Sequence, residues 1–483
     1  MSRSPDGRLS VAEPVALSSA QGRWLLGTVV LGSGVSMLDA TVVNIALPAI
    51  GRDLRAEFSG LQWTVNGYIL TLAALILLGG SLGDRLGRRK VFRYGTAWFA
   101  VASLLCGLAP NVAALIAARL LQGVGGALLT PGSLALISAS FREEDRGRAI
   151  GAWAGLTGIA AALGPVIGGL LVEISWRLVF LINLPLCVAV IVLAGRYVPE
   201  SRDPQASSSL DAAGAVAGAL GLAGVTYALV AAGEGQLSAP TWAAGGAGLA
   251  SLALFVLIER RSPAPMLPLG LFASRQFTAA NLVTFAVYAP LGVVLLLLVV
   301  QLQVTAGFPP LAAGSALIPV TALMLVLSSR SGALSARIGP RLQMSTGPLL
   351  CSAGVLLLSR VDGSATYLRD VLPGVLLFGL GLVVAVAPLT VTVLAAAEGR
   401  YAGIASAVNN AVARTASLLA VAAVPLIAGI SGTEYLDPVA LTRGYRIAML
   451  SAAGCLAVGG LLAAILIRNQ VVAASSEAAD GRR

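Results

Sequence analysis

The chain has 483 residues, 57% of them hydrophobic and only 11% charged, with a formal net charge of +10 and a mean hydropathy of +0.87. That balance excludes a string of soluble domains and points to an all-α polytopic membrane protein. Histidine is absent, which removes the side chain that most often moves protons near neutral pH or binds transition metals, so proton chemistry falls to carboxylates.

The polar first 23 residues lack the basic, apolar and small-residue order of a cleavable signal and read as a retained tail. Crossing the hydrocarbon takes about 20 apolar residues, and lipid offers irregular backbone no hydrogen-bond partner, so each long apolar run reads as a helix. Fourteen spans are expected, over residues 24–48, 61–82, 91–109, 112–136, 147–172, 176–197, 211–232, 241–259, 278–303, 311–329, 342–359, 371–394, 401–430 and 446–467. The four cysteines fall in separate apolar segments and read as small packing residues rather than as a disulfide framework or a zinc site.

The first span contains SGVSMLDATVVNIALP, residues 33–48, with Asp39 and Asn44 inside it. Loss of water disfavours the charged form of a carboxylate, and so short a side chain cannot reach the interface. Two readings of Asp39 stay open. Facing a cavity, it would hold a proton in one access state and release it in the other; alternatively it stays ionised, paired with Arg119 or another polar group, and holds the bundle in register.

Between the second and third spans, GGSLGDRLGRRKVF (residues 79–92) is a glycine-punctuated basic loop in which Asp84 can pair with Arg85, Arg88 or Arg89. The fourth span carries Arg119, which costs about 2.5 to 3.5 kcal/mol at a helix centre unless it is compensated or snorkels outward. In the fifth, Gly151, Gly155 and Gly158 precede Gly164, Pro165, Gly168 and Gly169, a small-residue spacing that permits close helix approach, either as a sliding seam or as static packing. Asn281, Thr284 and Tyr288 in the ninth span and Ser406, Asn410, Arg414 and Ser417 in the thirteenth form polar stripes at helical spacing. From these positions, Asn44, Asn183, Asn281, Tyr288, Asn410 and Arg414 are the candidate substrate contacts.

The pattern GSLGDRLGRR at 80–89 returns as GALSARIGPR at 332–341, an offset of 252 that also carries Gly147, Arg148 and Gly151 onto Gly399, Arg400 and Gly403. Two homologous halves are implied, with spans seven and eight inserted between them. The expected organisation is a tail (1–23), a six-helix bundle (24–200), a connector with two inserted spans (201–275), a second six-helix bundle (276–468) and a tail (469–483). Arginine concentrated in alternate loops places both termini in the cytoplasm, and the +10 charge then reflects topology and contact with anionic lipid rather than nucleic acid.

These residues resemble the major facilitator superfamily. Gly80, Leu82, Asp84, Arg85, Gly87 and Arg88 match its signature loop, although the second copy has Ala336 where the first has Asp84. ARLLQGVGGALLTP is similar to the family's fourth-helix motif, GPVIGG to its fifth-helix antiporter motif, and SWRLVFLINLPL and LDATVVNIALP look like the fourteen-span drug:proton antiporter branch. The resemblance implies two six-helix bundles plus two inserted helices, and proton handling by Arg119, with Asp39 the proton-coupling candidate from its own placement. It implies conformational gating by Gly80, Asp84, Arg85, Gly87, Arg88, Gly164, Pro165, Gly168 and Gly169. The expected function is proton-coupled efflux of amphipathic drugs or antibiotics, with uptake of a small nutrient by the same fold as the alternative. No enzyme activity, metal or cofactor is expected beyond the proton gradient. The expected partners are the small-molecule substrate, protons and membrane lipid, for a monomer in the plasma membrane.

Overall fold

The computed structural model describes residues 14–203, 211–263, 265–396 and 402–469. Gly399 and Arg400 of the internal repeat, and most of both expected tails, lie outside the described residues. Long helices follow one another as α1 Ala20–Asp53, α2 Phe58–Leu86, α3 Arg88–Gly107, α4 Val112–Ser140, α5 Glu143–Ile174, α6 Leu178–Tyr197 and α7 Ala212–Gly233. The series continues with α8 Ala239–Arg261, α9 Arg275–Val304, α10 Ile318–Ile338, α11 Pro340–Leu358, α12 Leu372–Ala395, α13 Ala402–Ala428 and α14 Pro438–Leu466. A short helix, Pro310–Ser315, leads into α10.

Twelve of these are long and apolar enough to cross a membrane. The other two, α3 and α11, have 20 and 19 residues, about 30 Å of helix at 1.5 Å per residue, which suffices for the hydrocarbon. Both begin in the repeated basic loop, so charge lowers their hydropathy, and the count of fourteen is approximate for that reason.

Side-chain caps start several helices: Asn111 accepts from the Ala114 amide at 2.9 Å and Asp211 from the Gly214 amide at 2.8 Å. The first helix outruns its expected end, since Pro48 lies within α1 and the helix continues to Asp53. A proline inside a membrane helix is tolerated where neighbours satisfy the disrupted backbone. Here Gln303 of α9 donates to the Ile45 carbonyl at 2.9 Å, in the turn that the proline disturbs.

The inserted pair α7–α8 packs backbone to backbone: a Cβ on Gly248 would lie 2.7 Å from the Val225 nitrogen, and one on Gly224 would lie 2.9 Å from the Gly248 Cα. Leu222 of α7 joins Leu70 and Ala73 of α2 and Leu418 of α13 in one apolar cluster. The pair therefore sits against both halves.

The α1–α6 and α9–α14 halves meet at the end of the molecule that carries the α1–α2 loop, here called the loop face. There Gln62 donates to the Val421 carbonyl at 2.8 Å, the Tyr435 hydroxyl to the Ala56 carbonyl at 2.9 Å, and the Phe58 amide to the Gly432 carbonyl at 2.8 Å. Glu234, after α7, joins both sides at once, its carboxylate accepting from the Ser59 amide at 3.0 Å and the Gly432 amide at 2.7 Å. Toward the opposite end, a Cβ placed on Gly147, Gly151, Gly155 or Gly158 of α5, Gly332 of α10 or Gly403 of α13 would meet nothing within 4 Å. The molecule is shut at the loop face, and these six glycines are uncrowded toward the end where α1 starts and α14 stops, here called the terminal face.

Hydrogen bonds from amides to a carboxylate are among the stronger ones, so Glu234→Ala should loosen this closure. A cysteine introduced at Ala422, which is buried beside Gln62, is expected to react with an impermeant maleimide about three- to tenfold faster in the Glu234→Ala background. Unchanged labelling would show that the inserted pair does not secure the loop face.

Candidate functional site

Asp39, with 0% exposure, lies at the meeting point of five helices. One carboxylate oxygen accepts from Arg119 Nη1 of α4 at 2.6 Å, and the other accepts from Gln122 Nε2 of α4 at 2.8 Å and Asn183 Nδ2 of α6 at 2.9 Å. Ser103 of α3 receives the second hydrogen of both amides, at 2.8 Å from Gln122 and 3.3 Å from Asn183. The fifth helix, α2, offers the Thr64 carbonyl to Arg119 Nε at 2.9 Å and the Tyr68 ring, whose centroid is 4.5 Å from the guanidinium carbon.

This arrangement answers how an arginine and a carboxylate share an apolar bundle. Each ion is neutralised by the other, both carboxylate oxygens and the Arg119 Nε and Nη1 groups find polar partners, and only the Asn183 Oδ1 beside them is left buried without one, which is close to the condition for a buried pair to be tolerated. Of the two ways open to Arg119, compensation is the one realised: the side chain is 1% exposed and turns inward to Asp39. Charge pairing beats the reach to the interface because Asp39 presents its carboxylate one helix away.

Gln122 and Ser103 escaped the sequence reading. Gln122 had a usable signal, since it follows Arg119 by three positions and so shares its helix face. Ser103 had none, because only the packing of α3 on α4 brings it here.

At the far end of α2, Asp84 and Arg88 pair at 2.8 Å. Gly87 has φ +113°, and a Cβ there would lie 2.7 Å from a carboxylate oxygen of Glu200, so the turn needs glycine on both counts. Glu200 accepts from the Arg89 amide at 3.1 Å, and the Arg88 amide donates to the Ser201 carbonyl at 2.9 Å. The second copy repeats this at the same offset: Gly339 has φ +82°, and the Arg341 amide donates to Asn469 Oδ1 at 3.1 Å. Glu200 and Asn469, one after α6 and the other after α14, thus hold equivalent turns, with a charge in one and a neutral amide in the other. Neither was recognisable in sequence, because each lies over 100 residues from its turn.

The chain matches the Major Facilitator Superfamily over residues 29–421. It belongs to that family. It is 35% identical to the puromycin resistance protein of Streptomyces alboniger across 98% of this chain and 97% of that one. It is also 35% identical to the tetracenomycin C resistance and export protein of Streptomyces glaucescens, across 81% of this chain and 74% of that one. To the methylenomycin A resistance protein of Bacillus subtilis it is 34% identical, across 91% and 94%. Among solved structures, a peptide transporter in complex with sulfate aligns with TM-score 0.68 at 15% identity, covering 94% of this chain and 96% of that one. An inward-facing bacterial homologue of the human lysosomal transporter Spinster aligns with TM-score 0.66 at 15% identity, covering 93% and 97%, a likeness of fold.

Within this major facilitator fold, the α5 glycines divide into two groups. A Cβ on Gly164 would collide with the Thr41 side chain of α1, one on Gly168 would lie 3.1 Å from Val42, and one on Gly169 would lie 2.5 Å from the Leu311 Cα in the other half. Pro165 presents its carbonyl against Gly314. Gly151, Gly155 and Gly158 make no such approach. The expected run of close contact is therefore confined to the half of α5 nearer the loop face, where the two halves are shut. Gly80 is near Pro131 of α4, with 3.6 Å from a built Cβ.

Leucine at Gly164 would have to displace Thr41 or part α1 from α5, and overpacking of this kind costs roughly 1 to 3 kcal/mol. Gly164→Leu should leave most of the protein in the membrane and cut transport at least about tenfold, as measured by initial rate per folded molecule. Wild-type rates would show that close approach at this seam is dispensable.

The candidate substrate contacts also separate. Asn183 is fully buried and donates to Asp39. Asn281 is likewise engaged, donating to the Phe277 carbonyl at 2.9 Å and accepting from Asn409 at 3.1 Å, while Asn409 also donates to Thr284 at 2.7 Å. Asn409, unnoticed in the sequence, ties α9 to α13. Asn44 is half-buried and makes only a 3.4 Å bond to its own helix, and Asn410 is exposed with a 3.1 Å bond to Ser406. Tyr288 and Arg414 are half-buried, and neither has a hydrogen-bond or ion-pair partner among the described residues.

Proposed function

We propose that this chain exports amphipathic drugs or antibiotics by alternating access, driven by protons that titrate Asp39. It is a transporter, not an enzyme, and its relatives at about 35% identity are named for antibiotic resistance and export. The observation that carries the coupling mechanism is the sealed Asp39–Arg119 pair, which joins α1 to α4 inside one half.

The arginine-rich loops assign the terminal face to the cytoplasm and the shut loop face to the exterior. Cargo enters between the halves from the cytoplasm. Once the molecule opens outward, a proton reaches Asp39 and frees Arg119, and α1 and α4 lose the attraction that holds them. Return to the inward-facing state delivers the proton to the cytoplasm and restores the pair. Each proton supplies about 1.4 kcal/mol per pH unit of gradient. The chain works in the plasma membrane with both ends cytoplasmic.

The test uses an efflux-deficient bacterial host expressing the chain, challenged with a panel of aromatic antibiotics and dyes. At least one compound should be retained less, with resistance raised, and a protonophore should abolish the difference. Greater retention would mean uptake. Export that ignores the protonophore would remove proton coupling.

A further inference from the structure

Arg414 lies near the middle of α13, in the membrane-spanning part of the chain, and has no hydrogen-bond or ion-pair partner among the described residues. An arginine at that depth is costly unless an anion or a polar wall compensates it. Arg119 shows how this protein compensates such a group from within, with a carboxylate, two side-chain or backbone oxygens and an aromatic face.

The neighbours of Arg414 on α13 fix where it emerges. Ala411 packs into the cluster around Tyr68, and Leu418 into the one around Leu70 and Ala73, so this side of α13 faces α2. Ser417 presses on Gly292, so the adjoining side faces α9. Arg414, three or four positions from all three, points into the cleft between α2 and α9, which belong to opposite halves. Tyr288 lies on that side of α9, between the Thr284 that bonds to Asn409 and the Gly292 that meets Ser417. A second polar group on this wall is also unspent. Asn66, one turn along α2 from the Gln62 that bonds to α13, is fully buried with neither amide atom hydrogen-bonded.

We infer that Arg414 receives a negative charge on the cargo, which is therefore an aromatic or amphipathic organic anion, bearing a carboxylate, sulfonate or phenolate, held beside Tyr288. This rests on the export reading and specifies its substrate class. Closing the cleft would bury the guanidinium without a counterion, so an empty site resists closure and an anion of the right size permits it.

The test measures binding, not transport, so it stands even if proton-driven export fails. The full chain is placed in phosphatidylcholine nanodiscs and titrated with anthraquinone-2-sulfonate, its neutral 2-carboxamide counterpart and a 2-trimethylammoniomethyl counterpart. A charge-assisted contact predicts that the sulfonate binds at least about tenfold more tightly than the carboxamide, with the cation weakest. Arg414→Gln should bring sulfonate and carboxamide within about twofold of each other, while Arg414→Lys keeps part of the preference. The inference is overturned if the wild type binds the carboxamide or the cation as tightly as the sulfonate, if it does not bind the sulfonate, or if Arg414→Gln keeps the preference. Because the wild-type series decides the matter alone, a variant that fails to fold does not protect the claim.

Discussion

Asp39→Asn is expected to abolish uphill transport driven by an imposed pH difference in proteoliposomes, to below about 1% of wild type, while downhill movement of the same cargo persists. The carboxylate accepts three hydrogen bonds, all from side-chain donors on Arg119, Gln122 and Asn183. An amide has one acceptor oxygen and two hydrogens. If the oxygen faces Arg119, the NH2 meets two donors; if it faces Gln122 and Asn183, the NH2 meets the guanidinium. Neither orientation restores the network, and neither can take up a proton. The folded state keeps Arg119 on Thr64, Gln122 and the Tyr68 ring, so the variant should still reconstitute as a monodisperse protein. Preserved uphill flux would remove Asp39 from the coupling step.

Arg119→Ala should be the more damaging substitution for stability. It leaves a carboxylate with no counterion at 0% exposure, and breaking a buried pair from one side typically costs about 3 to 5 kcal/mol. It also empties the space under Tyr68 and Phe180, whose ring centroids lie 4.5 Å and 5.8 Å from the guanidinium carbon. Removing both charges is gentler than removing one, so the double variant Asp39→Asn with Arg119→Ala should recover part of the loss. A thermal-unfolding cycle of the four proteins measures this as a coupling energy. Strict additivity would show that the two groups do not stabilise each other.

Much of the molecule could be read along the chain because membrane helices announce themselves by composition. Lipid cannot bond to peptide groups, so a long apolar run has almost no alternative to a helix, and the spans were placed to within several residues. The exceptions were local. Pro48 was read as an end of the first helix, but a donor from α9 supports the backbone there. The two glycine groups of the fifth span were read as one seam, yet only Gly164, Gly168 and Gly169 have a partner close enough to need them. The repeat at offset 252 was visible in sequence, while the residues that hold its two turns, Glu200 and Asn469, were not.

For the site, the sequence by itself determined that Asp39, Arg119 and Arg414 are charges in apolar surroundings, which follows from neighbours along one helix. It also determined the superfamily, through short motifs whose glycines and charges sit at fixed spacings. Only the tertiary structure decided which of those charges are compensated. Asp39 and Arg119 are 80 positions apart and meet because α1 packs on α4, and Asn183 joins them from 144 positions away. Arg414 finds no such partner between the halves among the described residues. Compensation of a buried charge is a property of atoms within a few ångströms in space, and helix packing, unlike helix formation, is not written in any single stretch of chain.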